Sequence, residues 1–542
     1  MKIHRLSVCA LLVLVSSGLS AAVEEGGLIV SVENQVDRSS PAGGWLQAIE
    51  GDAMKWQQRV RTGELSRAAI ELSTGGILRL SEFTQLTLEP PQVEAANQAG
   101  RIDFVEGAAY FFSRTENEAD IDTPSASLNI RGTEFTIEVD AQGVTNIALL
   151  DGAVTLSNSL GSVDLMSGEL GTAEPGQAPR KTALLDASNR IQFFLYYPAI
   201  ADPSAFADLE TGAFAAAYAA YQAGDLLQAL EALPAASTEL EHRFSAAVLC
   251  ATGHIYEVQA HLIYGGEDPL KDALQLLIEV VKTPAAEGAV AEAPFTPAGR
   301  LAYSYALQAR GDLVGALSAA RAAVELSPDF GFGWARIAEL EFGFAANAEA
   351  LQALERALQL TPRNAQAIAL RAYILLSQGE IAQGQADFSA ALAIDPALGN
   401  AWLGQGLAYF QQGNAAAALR SMTIAAAVEP NRSFLRSYLG KAFAQVGEDG
   451  KASEELQLAE NLDAGDPTVP LYQAVLDQRG NAYNKAVSRL EESIRRNDNR
   501  AVYRSSFLLD KDRSLREANL ASLYENVGMT EASLEAARSS VV

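Results

Sequence analysis

The sequence predicts a multidomain chain: an N-terminal all-β module, a β-sandwich or small β-solenoid, followed by an all-α solenoid of tandem helix pairs. Three observations carry this. Between residues 27 and 180 apolar and polar side chains alternate, with glycine-containing turns roughly every 8–12 residues. From residue 206 onward alanine, leucine and glutamate dominate and the apolar period becomes helical. Pro328, Pro362, Pro396 and Pro430 stand 34 residues apart, with Pro294 one period upstream, a spacing that belongs to helix–turn–helix arrays.

At 542 residues the chain is too long for one core. Residues 1–22 read as a cleavable signal. Lys2, His4 and Arg5 form a basic start, Leu6–Val15 an apolar run, and Ser20, Ala21 and Ala22 a small-residue cleavage site. That run is shorter than the roughly 20 residues a membrane span needs. Cys9 lies inside it after Val8, where a lipoprotein would carry a small residue. No later stretch is apolar enough to span, so the expectation is export through the general pathway to a bacterial periplasm, with no transmembrane segment in the mature chain. Removing residues 1–22 takes away Lys2 and Arg5 and no acid, which moves the formal charge from −27 to −29. Such acidity argues against nucleic acid and anionic lipid as partners and favours solubility. Cys250 alone then remains, in the apolar stretch Ala246–Cys250, and reads as a buried inert thiol.

Within the β module, Ala69–Ser73 alternates, Gly75-Gly76 turns, and Ile77–Leu80 resumes the strand. Phe135, Ile137 and Val139 share one face while Thr136, Glu138 and Asp140 share the other. Asp151-Gly152 joins Val144–Leu150 to Ala153–Leu156 as a two-residue hairpin. Residues 89–100 read as a loop. Three stretches together resemble the FecR-type domain: Arg61–Ala68 with the following Gly-Gly hairpin and Arg79-Leu80, then Arg131–Phe135, then Asp151–Val154 with Ser167–Glu169. None of them needs a catalytic explanation. The resemblance implies a periplasmic or envelope β module that contacts proteins or cell-wall material. The signalling role of FecR itself, a transmembrane regulator acting on a sigma factor, is not expected to transfer, because the β module follows a cleavable signal directly.

The chain thus divides into a signal (1–22), a β module (27–180), a linker (181–205), atypical helical repeats (206–296), a regular array (297–498) and a terminal helix pair (499–542). In the linker, Gln192–Tyr197 is aromatic and reads as packing between the two halves. In the array, Tyr303, Leu307, Gly311, Ala316 and Ala320 recur as Trp334, Ala338, Ala350 and Leu354, then Ala372, Gly379, Gly384 and Phe388, then Trp402, Gly406, Gly413, Ala418 and Met422. Small and large positions at fixed offsets resemble tetratricopeptide repeats. Residues 433–464 and 467–498 keep the pattern without the proline, and 206–296 holds looser pairs around a long Thr283–Thr296 loop. Ser514–Val527 and Thr530–Val542 read as a last pair. A solenoid end needs a polar cap, so ending on Val541-Val542 suggests a truncated product or an end that docks on a partner.

Searching for chemistry yields little. There is no G-x-G-x-x-G after a strand, no P-loop, no H-E-x-x-H and no G-x-S-x-G. Cys250, His254, Glu257 and His261 fall on one helical stripe, but a straight helix spreads them over about 16 Å, too far for one ion. The expectation is no enzyme, no metal and no cofactor. The resemblance to tetratricopeptide arrays implies instead a concave groove lined by Tyr305, Phe332, Glu339, Phe342, Gln366, Tyr373, Asn400, Phe410, Gln411, Phe434, Lys441 and Gln445. Aromatics there would anchor apolar groups and amides would hydrogen-bond an extended peptide, with about a third to a half of the aromatics packing between helices instead. Basic residues are nearly absent, so the family's clamp for acidic carboxylates does not match. Phe342→Ala with Phe410→Ala is expected to weaken capture while sparing the fold. The function this predicts is an exported scaffold or adaptor that holds a protein or peptide, its β module making envelope contacts. Two alternatives stand beside it: a cell-wall or carbohydrate binder with the repeats as spacer, and a periplasmic component of a transmembrane signalling system.

Overall fold

The computed structural model describes residues 25–40, 43–73, 75–90, 98–114, 118–183, 197–264, 266–282, 294–344, 346–496, 509–526 and 528–540. The signal stretch 1–22, residues 192–196 of the aromatic run, most of the Thr283–Thr296 loop and Val541-Val542 lie outside them.

Of the two β architectures expected, the chain adopts two facing sheets. The first runs β4 (Ala53–Lys55), β1 (Glu25–Glu33), β6 (Arg67–Leu72), β7 (Gly76–Leu80), β9 (Gln98–Phe112), β12 (Glu134–Val139), β13 (Thr145–Asp151), β16 (Glu169–Ala173) and β17 (Arg180–Ala183). The second runs β3 (Trp45–Gln47), β2 (Val36–Ser39), β5 (Arg59–Thr62), β8 (Gln85–Glu89), β9 again, β10 (Glu118–Asp122), β11 (Ser127–Arg131), β14 (Ala153–Asn158) and β15 (Gly161–Met166). β9 serves both because it bends at Gly107, whose φ of +103° suits glycine. A Cβ there would stand 2.3 Å from Thr84 Cα. Alternate side chains of both sheets, among them Ile70, Phe111, Phe135, Leu86, Phe104 and Leu128, fill the space between them.

Although apolar and polar residues alternate along them, β6, β7 and β12 are buried on nearly every residue. Their outward side chains meet the helices. Ala69, Ile77, Tyr110 and Phe112 belong to the core of the repeat array, not to the interior of the sandwich.

Within the linker, Tyr197–Ala201 is buried, and a 3-10 segment, Pro203–Glu210, follows it. The looser helices are α1 (Ala215–Ala223), α2 (Leu226–Glu231), α3 (Glu239–Ala251), α4 (Ile255–Leu262) and α5 (Pro269–Lys282). The regular pairs are α6 (Pro297–Ala309) with α7 (Leu313–Leu326), α8 (Gly331–Gly343) with α9 (Asn347–Leu360), and α10 (Ala365–Ser377) with α11 (Ile381–Leu392). Next come α12 (Gly399–Gln411) with α13 (Ala415–Val428) and α14 (Ser433–Val446) with α15 (Asp449–Leu462). α16 (Thr468–Arg479), α17 (Tyr483–Arg496), α18 (Leu509–Asn526) and α19 (Thr530–Ser539) complete the chain order. First helices begin at Pro297, Gly331, Ala365, Gly399 and Ser433, 34 residues apart, so the proline period is the structural period. Small residues let paired helices cross closely: a Cβ on Gly406 would meet Met422 Cγ at 2.8 Å and Ala418 O at 3.1 Å.

The ladder prolines also serve as acceptors. Trp334 Nε1 donates to Pro328 O at 2.9 Å and Trp402 Nε1 to Pro396 O at 2.8 Å. At the equivalent position of the next unit stands Arg436, which keeps the bond, its Nε donating to Pro430 O at 3.3 Å.

The stripe Cys250–His261 is not one helix, contrary to expectation. α3 ends at Ala251, Gly253 turns with φ +77°, and α4 restarts at Ile255. Cys250 is 1% exposed, and burial pushes its thiol up to about 12, which keeps it inert.

Candidate functional site

The looser helices fold back on the regular array. Arg363 N donates to Ala223 O at 2.8 Å, and the Arg363 guanidinium pairs with Asp225 at 2.5 Å. Tyr221 packs on Phe332 with ring centroids 5.3 Å apart, and its hydroxyl donates to Ala201 O at 3.0 Å. This closure leaves a pocket of about 110 Å³ on the inner face of the first helices. Its walls are Tyr305 of α6, Phe332, Arg336, Glu339 and Phe342 of α8, Gln366 and Tyr373 of α10 and Asn400 of α12, with Pro198, Ala199 and Leu226 from the linker and α2.

Seven of the twelve predicted groove residues therefore lie around one pocket. Phe332, Phe342 and Tyr373 are 7%, 3% and 4% exposed, so they serve as wall and core together. Tyr373 is fixed by a bond from its hydroxyl to Asn400 O at 2.6 Å, and burial holds its pKa above the usual phenol range. The other five lie elsewhere. Phe410 is half-buried against the array core, while Gln411 and Gln445 are exposed. Phe434 is buried with the Arg432 guanidinium 4.4 Å from its ring centroid. Lys441 reaches over Tyr438 and Tyr472 at 5.3 and 5.4 Å.

Sequence reasoning missed Arg336, whose side chain is fully buried. Its guanidinium pairs with Glu339 Oε2 at 2.7 Å, donates to Ser304 Oγ at 3.0 Å, bonds Gln308, and lies 4.0 Å from the Tyr305 ring centroid. It also missed the seam between β module and array. There Arg114 pairs with Glu134 at 3.0 Å and with Glu455 of α15 at 2.6 Å. Arg436 of α14 pairs with Glu134, with Glu455 at 3.3 Å, and donates to the Tyr110 hydroxyl at 3.2 Å. The Phe112 ring lies 4.8 and 4.9 Å from the two guanidiniums. Burial would raise the Glu134 pKa, but Arg436 and Arg114 outweigh it and hold the carboxyl below its usual range.

The seam continues along the sheet. Arg67 donates to Thr252 O at 2.8 Å and Gly253 O at 3.0 Å. Arg79 bonds Val428 O and pairs with Glu33 at 3.4 Å. A smaller cavity lined by Glu33, Arg79, Asp395 and Glu429 shares Leu226, Asn364 and Gln366 with the first. Burial, then Glu33 and Glu429, push Asp395 up to about 7 against the pull of Arg79 and a bond from Ala397 N. His242 Nδ1 and His261 Nδ1 stand 3.0 Å apart, and no group of three or more metal-holding side chains occurs among the described residues.

With the outward arginines and glutamate of β6, β7 and β12 placed, the comparison with known families is direct. Residues 58–155 match the FecR protein family. The FecR-type module supplies Arg67, Arg79, Arg114 and Glu134 to the seam, and the helices form a solenoid of pairs with a 34-residue repeat. Among solved structures, the Cut9–Hcn1 hetero-tetramer of the APC/C is similar at 15% identity and TM-score 0.41, over 60% of this chain and 72% of that one. The human IFIT1 dimer with PPP-AAAA is similar at 15% identity and TM-score 0.37, over 64% and 96%. A thermophilic TPR protein of Thermus thermophilus is similar at 20% identity and TM-score 0.30, over 33% and 98%. No curated protein matches the chain.

Proposed function

We propose that the protein is an exported, non-enzymatic scaffold. Its repeat array holds a segment of a partner protein in the pocket between Tyr305 and Tyr373. The FecR-type module, clamped to the array through its first sheet, leaves the second sheet for envelope contacts. The observation that supports this most is the convergence of seven groove positions, drawn from four successive first helices, on one cavity with aromatic walls and an amide. No helix among the described residues is long and apolar enough to cross a membrane.

The test uses the full chain with its leader, carrying a photo-reactive residue at Gln366 or at exposed Gln457 on α15. A partner adduct at position 366, absent at 457 and found in the periplasmic fraction, is expected. Equal adducts at both positions, or retention in the cytoplasm, would overturn the proposal. Sedimentation with purified cell-wall polymer in the absence of any adduct would favour the carbohydrate-binding alternative.

A further inference from the structure

We infer that this pocket takes one uncharged apolar side chain from a tight loop or chain end of the partner, and not an extended peptide. The inference rests on the scaffold reading above and names what that scaffold would hold. It departs from the sequence-based expectation of a long groove, and three observations carry it.

Continuity comes first. Pro198, Ala199 and Leu226 wall off one side of the pocket, while Phe434 and Lys441 are engaged with neighbouring side chains beyond it. The resident segment is apolar and buried over Tyr197–Ala201, and its Pro198 and Ala199 already occupy part of the groove. What remains, about 110 Å³ for the centres of water-sized groups, has room for on the order of ten non-hydrogen atoms. That is one residue.

Charge comes second. The ionisable groups of opposite sign on the wall, Arg336 and Glu339, neutralise each other at 2.7 Å, and Arg336 is also bonded to Ser304 and Gln308. A carboxylate, phosphate or ammonium entering here would be desolvated with no uncommitted counter-charge to meet it. Despite the formal charge of −27 on the whole chain, the site selects a neutral group.

Polarity comes third. Nε2 of Gln366 has no hydrogen-bond partner among the described residues and is shielded from water. Rotation of that amide towards the cavity would let it donate to a backbone carbonyl beside the inserted side chain, which offsets the cost of an unsatisfied donor.

The experiment titrates the full chain with blocked pentapeptides Ala-Ala-X-Ala-Ala, X being Leu, Phe, Asp or Lys, by saturation-transfer NMR. The Leu and Phe peptides are expected to bind at least tenfold more tightly than Asp or Lys. Lengthening the Leu peptide to nine residues should change affinity less than threefold. Gln366→Leu should weaken the Leu peptide five- to tenfold, with Gln411→Leu unchanged and thermal melting confirming that both variants fold. Charged peptides binding equally, a more than tenfold gain with length, or no saturable binding of any peptide would each overturn the inference. A position-366 adduct alongside absent peptide binding would reject this ligand class and leave the scaffold reading standing.

Discussion

Arg436 of the array bonds Glu134 of the FecR-type module across 302 residues of chain, and their side chains are 2% and 6% exposed. The repeat register explains why an arginine works there. Trp334 and Trp402 occupy the equivalent position and donate to a ladder-proline carbonyl, and Arg436 keeps that bond with Nε while its Nη2 reaches the β module and its Nη1 pairs with Glu455 of α15. One substitution in a repeating pattern turns a packing position into a docking position.

Removing one partner of this seam leaves a buried charge uncompensated. Arg436→Ala or Arg114→Ala should each destabilise the chain by about 3–5 kcal/mol, read as a shift in the urea midpoint. Arg420→Ala, which breaks the more exposed pair with Glu71, should cost under about 1 kcal/mol. Equal losses at the two sites would mean that burial does not govern the seam.

Gly107→Ala tests the bend that passes β9 between sheets. The positive φ and the approach to Thr84 Cα act together, so a loss of about 2 kcal/mol or more is expected. Calorimetry should show a lowered melting temperature; an unchanged one would show that the strand relieves the clash by shifting.

Stability should depend on pH through Asp395. Its carboxyl is raised from 3.8 to about 7 in the folded chain by burial, Glu33 and Glu429, against Arg79. The folded state therefore holds this proton more tightly than the unfolded state. Its contribution is greatest on the acid side, falls as pH rises from about 4 towards about 7, and levels off above. Melting temperatures across that window should fall less steeply for Asp395→Asn than for the parent. Parallel slopes would remove Asp395 as the cause.

Phe342→Ala should behave differently from the sequence-based expectation that it spares the fold. The ring is 3% exposed and belongs to the array core, so truncation should cost about 3–5 kcal/mol. Chemical denaturation of the single variant decides this, and a loss below about 1 kcal/mol would restore Phe342 as a clean probe of binding.

Legibility in the sequence follows the range of the interactions. The proline period located every regular first helix, because helix ends answer to local backbone chemistry. The groove offsets put seven of twelve positions around one pocket, since repeats place equivalent residues on equivalent faces, and left Phe410 and Phe434 outside it. Arg336 escaped notice because nothing in the register marks it: its partners lie on a neighbouring helix and on its own next turn.

By itself, then, the sequence determined the two-part architecture, the strand alternation and the repeat register. Each is set by contacts within a strand, a hairpin or adjacent helices. Only the tertiary structure decided that β6, β7 and β12 are covered on both faces and that the expected groove is cut down to a pocket. Both depend on pairs such as Arg436 with Tyr110 and Arg363 with Asp225, which lie 326 and 138 residues apart. At such separations an outward arginine on a strand looks the same in sequence whether water or another domain receives it.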